Sequence, residues 1–147
     1  MKTRIRSSAM LLMFLTGFAG IAGFAQTQTK KVEKAPIEMT SAASGSEMFN
    51  SYCAPCHGKN GKGAGPAATS LKIPPANLAQ LAKKNNGKFP ADHVGTILRN
   101  GSATAAHGSS DMPIWGPLFS QVSGRDNSVV EMRIANLIHY LESLQEK

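Results

Sequence analysis

Both cysteines of this 147-residue chain lie in one short stretch, SYCAPCHGKNGKG, which constrains the fold more than any other part of the sequence. Cys53 and Cys56 are separated by two residues, and His57 follows at once. Residues three and four positions apart share one face of a helix. A helical turn here would therefore direct two thiols and one imidazole to the same side.

Three chemistries compete for this motif. A thioredoxin-like dithiol requires a strand–helix–strand context, whereas the flanking sequence has helical periodicity. A zinc site requires four ligands, so a second histidine would have to join Cys53, Cys56 and His57. A disulfide between the cysteines would close a very short loop and add little stability.

A fourth interpretation is favoured, because Cys-x-x-Cys-His is the attachment pattern of c-type haem. Cys53 and Cys56 would then bond the two haem vinyl groups, and the ring nitrogen of His57 would bind the iron. The small domain also favours a cofactor, because about 100 residues with long irregular loops form a thin core. We predict one covalently bound haem c.

Haem iron has a sixth coordination position, for which methionine is a soft ligand that raises the reduction potential. Met112 lies in an irregular loop, HGSSDMPIWGP, that Pro113 stiffens. Met48 and Met132 are instead predicted to fill the core from apolar helix faces. The pattern predicts Met112 as the sixth ligand.

The remaining histidines and the single tryptophan are secondary candidates. His107 is the alternative sixth ligand and would give a bis-histidine site of lower potential. His93 and His139 are predicted to be ordinary helix residues. Trp115 packs on the haem, approaches a haem propionate or anchors its loop in the core, and we favour the last role.

Helical signals dominate the sequence after residue 44, where strand-like alternation is almost absent. Four segments carry them: SGSEMFNSYCAPC, PANLAQLAKKN, PADHVGTILRNG and NSVVEMRIANLIHYLESLQ. In the last segment, apolar residues recur every three or four positions from Val130 to Leu144. Residues 58–75 and 101–127 are rich in Gly, Pro and Ser and are predicted to be loops. The predicted fold class is all-α.

The amino-terminal pattern is typical of an export signal. Basic residues precede an apolar run over 9–25 that ends in small residues. We predict a signal peptide over 1–25, a flexible linker over 26–44 and one domain over 45–147. Export places the protein in the periplasm, or tethers it to the membrane if the signal is not cleaved.

The charge is mildly basic after removal of the predicted signal. Three of the sixteen Lys and Arg residues lie in it, so thirteen face nine Asp and Glu, which gives +4. No nucleic-acid motif accompanies this charge, and no nucleic-acid partner is expected. No acidic residue occurs from 48 to 91. That span contains six lysines: Lys59, Lys62, Lys72, Lys83, Lys84 and Lys88. They either surround an exposed haem edge and attract an acidic partner or form an ordinary solvated surface.

From Gly45 to Glu146 the chain resembles the bacterial, monohaem class I c-type cytochromes. GSEMFNSYCAPCHG resembles their first helix, GKGAGP the loop after it, DMPIWG their methionine-ligand loop and LIHYLESL their last helix. The resemblance implies three to five helices around one haem. It also implies that the last helix crosses the first near Gly45 and Phe49, and that the carbonyl of Pro66 accepts a hydrogen bond from the ring of His57.

The resemblance implies single-electron transfer. An iron bound on both sides has no open position for a small-molecule substrate, and no catalytic constellation is evident elsewhere. We expect a periplasmic carrier that is not an enzyme and works with acidic or membrane-bound redox partner proteins. The alternative is a haem-based sensor, or the haem subunit of a periplasmic oxidoreductase, in which the sixth ligand is displaceable.

Overall fold

A computed structural model describes residues 37–101 and 111–147. The predicted signal peptide, most of the predicted linker and His107 lie outside these residues. Within the two described ranges the regular structure is helical and contains no strand, which confirms the predicted all-α class. No helix in this part of the chain is long and apolar enough to cross a membrane.

Five helical segments lie in the part of the domain that the structure describes. The first, α1, is continuous and has three parts: Gly45–Met48, the π-helical turn Phe49–Cys53, and Ala54–His57. The others are α2 at Leu81–Lys84, α3 at Ala91–Asn100, α4 at Trp115–Val122 and α5 at Asn127–Ser143. Two 3-10 turns, Ala68–Ser70 and Leu78–Gln80, lie between α1 and α2.

Helices α1 and α5 cross at the position that the resemblance implied. A Cβ atom on Gly45 would overlap the carbonyl oxygen of Asn136 and lie 2.8 Å from the Cβ of Tyr140. The rings of Phe49 and Tyr140 are 5.3 Å apart. The absence of a side chain at Gly45 lets the two backbones approach, and this contact fixes one side of the domain.

The core confirms the apolar stripe of α5 and one of the two methionine predictions. Ile134 and Leu137 are fully buried, as is Met48. Met132 is 43% exposed, so its prediction as a core residue is wrong. It follows the buried Val130 by two residues, or about 200° around a helix of 3.6 residues per turn, and therefore lies on the opposite face.

Helix α4 occupies a region predicted to be a loop. Trp115 and Phe119 are buried on one face of it, at the four-residue spacing that packs a helix against a core. Gly116 and Pro117 obscure this pattern, although proline is tolerated in the first turn of a helix. Gly116 also permits close packing, because a Cβ there would lie 2.5 Å from the carbonyl oxygen of Arg99 in α3.

The segment PANLAQLAKKN forms a 3-10 turn followed by the short α2, rather than the single helix predicted. The carboxy-terminal residues form hydrogen bonds with the backbone of this segment. The N–H of Glu146 donates to the carbonyl of Ala79, and the N–H of Ala82 donates to the Gln145 side chain. These groups are therefore not available for a longer regular helix. Helix α3 ends at Gly101, as predicted.

Candidate functional site

A cavity of about 460 Å³ is lined by residues from all five helices and from segments 71–76 and 111–113. This volume is within the range of about 300–1,000 Å³ that is typical of pockets for small molecules and cofactors. Both thiols, the His57 imidazole and the Met112 thioether line it. Four residues singled out from the sequence are thus brought to one cavity.

The loop after α1 holds the motif in place through backbone hydrogen bonds. The N–H groups of Gly63 and Gly65 donate to the carbonyls of His57 and Cys56 at 2.7 and 2.9 Å. These are carbonyls of the last helical turn, which have no partner within the helix. A Cβ on Gly63, whose φ is +86°, would lie 2.5 Å from the carbonyl oxygen of Pro75. The loop therefore packs against the 75–76 segment as well as against α1.

His57 is oriented by that same segment. Its Nδ1 lies 2.9 Å from the carbonyl oxygen of Ala76. A carbonyl oxygen only accepts, so Nδ1 carries the proton and Nε2 keeps a free lone pair. Burial lowers the pKa of the imidazole, and the hydrogen bond to Ala76 partly opposes that effect. His57 is therefore a neutral nitrogen donor of fixed tautomer, the form that binds a metal.

The assignment of this hydrogen bond to the carbonyl of Pro66 is wrong. Pro66 is exposed. Its neighbours Gly65 and Ala67 are both bonded to carbonyls of α1, those of Cys56 and Pro55. The turn at residue 66 is thus held against the end of the helix, while the following segment returns past the imidazole with Ala76.

The two thiols are unpaired and protonated. Both cysteines are free, and Cys53 is buried. Burial, with a smaller contribution from the Cys56 thiol, raises the pKa of Cys53 to about 12. Burial and then the negative charge of Asp111 raise the pKa of Cys56. A reactive dithiol requires a lowered thiol pKa, so this environment does not favour the redox interpretation.

Met112 reaches the cavity from the turn that precedes α4. Its side chain is half-buried and packs against the hydrophobic core. Trp115, at the start of α4, lines the cavity too and is only 6% exposed. Burial of Trp115 agrees with the favoured role as a core residue, and its place in the cavity wall leaves its relation to a haem a prediction.

Three further lining residues bear on the site: Tyr52 and His93 were not predicted to be site residues, and Lys84 was named only among the six lysines considered for docking. Tyr52 directly precedes the first cysteine, and its ring stacks on Trp115 with centroids 5.3 Å apart. His93, interpreted as an ordinary helix residue, and Lys84 are exposed residues that line the cavity. The position of Tyr52 directly before Cys53 is a sequence signal that it lies at the site. The positions of His93 and Lys84 in the cavity wall follow only from the tertiary structure.

These residues fit a covalently bound haem. Two thiols, a metal-binding imidazole and a thioether meet in a cavity whose other lining is largely aliphatic and aromatic. They do not fit zinc within the part of the chain that the structure describes, because no group of three or more His, Cys, Asp or Glu side chains there could hold a metal ion.

The helical fold, the cavity and the Cys-x-x-Cys-His motif define a c-type cytochrome domain. A family model described as cytochrome c oxidase, cbb3-type, subunit III matches residues 40–141, and the chain belongs to this family. The search of curated proteins found no match. Membership implies covalently bound haem c, haem-based electron transfer and redox partner proteins.

Proposed function

We propose that the chain is an exported electron carrier with one haem, whose iron is bound by His57 and Met112. One observation carries the proposal: the unprotonated Nε2 of His57 and the sulfur-bearing side chain of Met112 belong to the wall of the cavity that also contains both thiols. Haem supplies a one-electron couple at this site.

The protein's own contribution is to hold neutral donor atoms in a largely apolar cavity wall. The Ala76 carbonyl fixes the His57 tautomer, and a methionine ligand raises the reduction potential relative to a second histidine. Two protein ligands leave no position for a substrate, which supports a carrier rather than an enzyme. The amino-terminal export pattern supports a periplasmic location.

The proposal predicts a simple redox titration. The purified protein, expressed together with haem-attachment machinery, should contain one haem per chain and titrate as a single one-electron wave. Haem content by the pyridine haemochrome method and spectroelectrochemistry measure the two quantities. A second haem, or a second wave from a pure sample, would contradict a monohaem carrier.

We propose further that exposed lysines, above all Lys84 in the cavity wall, bind an acidic surface of the redox partner. All six lysines between residues 48 and 91 are exposed. They are not equivalent, because Lys62 pairs with Glu146 at 2.8 Å whereas Lys84 lines the cavity. Lys84 is therefore the lysine placed to face a partner that docks at the cavity.

Charge removal at Lys84 should slow reduction by an acidic donor at low salt. We expect Lys84→Gln to lower the second-order rate constant several-fold at about 10 mM salt, where screening is weak, and to match the parent above about 0.5 M. Stopped-flow absorbance with an acidic redox protein measures this. Lys62→Gln is the control, because its charge already has a carboxylate partner. A flat salt dependence of the parent rate would reject electrostatic docking.

A second candidate function is a haem subunit of an oxidase complex, favoured by the description of the matching family. In that case the chain would remain with a membrane complex during purification under mild detergent. A free carrier would leave the membranes in a high-salt wash. Gel filtration of the two fractions, followed by haem staining, separates these outcomes.

A further inference from the structure

Arg133 places a positive charge inside the domain, and no carboxylate in residues 37–101 and 111–147 forms a hydrogen bond with it. Its side chain, on α5, is only 4% exposed. The guanidinium donates to the hydroxyl of Ser123 at 3.1 Å, and to the hydroxyl and the carbonyl of Thr40 at 3.1 and 2.9 Å. All three acceptors are neutral. Buried charges are costly and are usually paired, so this arrangement requires an explanation.

A directed chain of hydrogen bonds joins this charge to the cavity wall. The hydroxyl of Tyr52 donates to the carbonyl of Glu38, which can only accept. The Tyr52 oxygen must then accept from the hydroxyl of Thr40, at 2.8 Å. The Thr40 oxygen in turn accepts from Arg133. Each hydroxyl thus accepts from the side of the cation and donates away from it, which polarises the bonds in one direction.

Tyr52 is the point at which this chain reaches the haem site. Its ring lines the cavity, stacks on Trp115 and packs on Phe119 at 5.8 Å. The guanidinium of Arg133 is therefore two hydrogen bonds from a side chain of the cavity wall. The charge of Arg133 acts on the haem site across these two hydrogen bonds, because the protein interior screens a charge less than water does.

We propose that Arg133 is a positioning residue that raises the reduction potential of the haem. Its buried charge disfavours the oxidised iron, which carries one more positive charge than the reduced iron. Its bonds to Thr40 also hold Tyr52, and with it Trp115, in the cavity wall. The proposal rests on the proposed one-electron function of this cavity.

Potentiometry of the haem-loaded protein tests the charge directly. Arg133→Gln should lower the reduction potential at both low and high salt, and Arg133→Lys should stay nearer the parent value. Arg99→Gln is the matched control, because Arg99 is 41% exposed at its side chain and pairs with Glu131; we expect a smaller shift that salt removes. Equal potentials of Arg133→Gln and parent, or equal falls in Arg133→Gln and Arg133→Lys, would overturn the proposal.

A second pair of variants keeps the test valid if Arg133→Gln does not fold. Ser123→Asp would place a carboxylate beside the intact guanidinium and should also lower the potential. Gln121→Asp adds the same charge at an exposed position of α4 and should have a smaller effect that high salt abolishes. An equal shift from the two aspartates would overturn the proposal. If the parent lacks a one-electron haem couple, the proposed function itself fails; a normal parent couple with unresponsive variants rejects only the role of Arg133.

Discussion

Replacement of both cysteines, in Cys53→Ala/Cys56→Ala, is expected to abolish covalent haem and leave the domain largely unfolded. The reason is the cavity of about 460 Å³ that both thiols line. Enclosed apolar volume that stays empty costs roughly 24 cal/mol per Å³. Because exposed Lys84 and His93 line this cavity, the product, on the order of 10 kcal/mol, is an upper bound. A small domain has a total stability of only about 5–15 kcal/mol, so we expect the fold to be lost when no haem fills the cavity.

Haem staining of a denaturing gel measures the first effect, because only covalent haem is retained, and far-ultraviolet circular dichroism measures the second. The control is the parent chain expressed without haem-attachment machinery, which should be equally unfolded. A double variant with parent helicity and a cooperative thermal transition would contradict the claim that haem completes the core.

Removal of the proposed sixth ligand, in Met112→Ala, is expected to lower the reduction potential by a few tenths of a volt, within the range of about 0.8 V that axial ligands span. The vacated position should also bind carbon monoxide in the reduced protein. The fold should persist, because Met112 is only half-buried in a turn and both thiols remain.

Two methionines provide controls for this variant. Met132→Ala, at an exposed position of α5, should leave the spectrum and the potential unchanged, and Met48→Leu tests a fully buried methionine of α1. If Met112→Ala has the parent spectrum and potential, another residue is the sixth ligand, and His107 is then the first candidate.

The sequence predicted features that depend on residues near one another in the chain. Cys53, Cys56 and His57 occupy one helical turn, so their common direction follows from spacing alone. Helix α5 was evident because its stripe from Val130 to Leu141 is long and regular. The same stripe contains Arg133, whose position three residues after Val130 and four before Leu137 already indicates burial. The charge of its side chain concealed that signal.

Features that depend on the path of a loop could not be read from the sequence. Pro66 and Ala76 both lie in non-periodic segments after His57, and their separations from it do not show which carbonyl returns to the ring. Ala76 is the acceptor because Gly63 packs on Pro75 and because hydrogen bonds hold the turn at residue 66 against α1. Helix α4 was missed for a related reason, because Gly116 and Pro117 suggest a turn until Trp115 and Phe119 are seen to be buried together.

Ligation of the haem iron by His57 and Met112 is tested by an optical spectrum of the purified, haem-loaded protein, recorded oxidised and then reduced, with and without carbon monoxide. We expect a c-type spectrum, a ferric methionine–iron charge-transfer band and no change on addition of carbon monoxide to the reduced protein. A c-type spectrum that lacks this band and shifts with carbon monoxide would contradict a site closed by His57 and Met112, and would favour a haem sensor or an oxidoreductase subunit with a displaceable ligand.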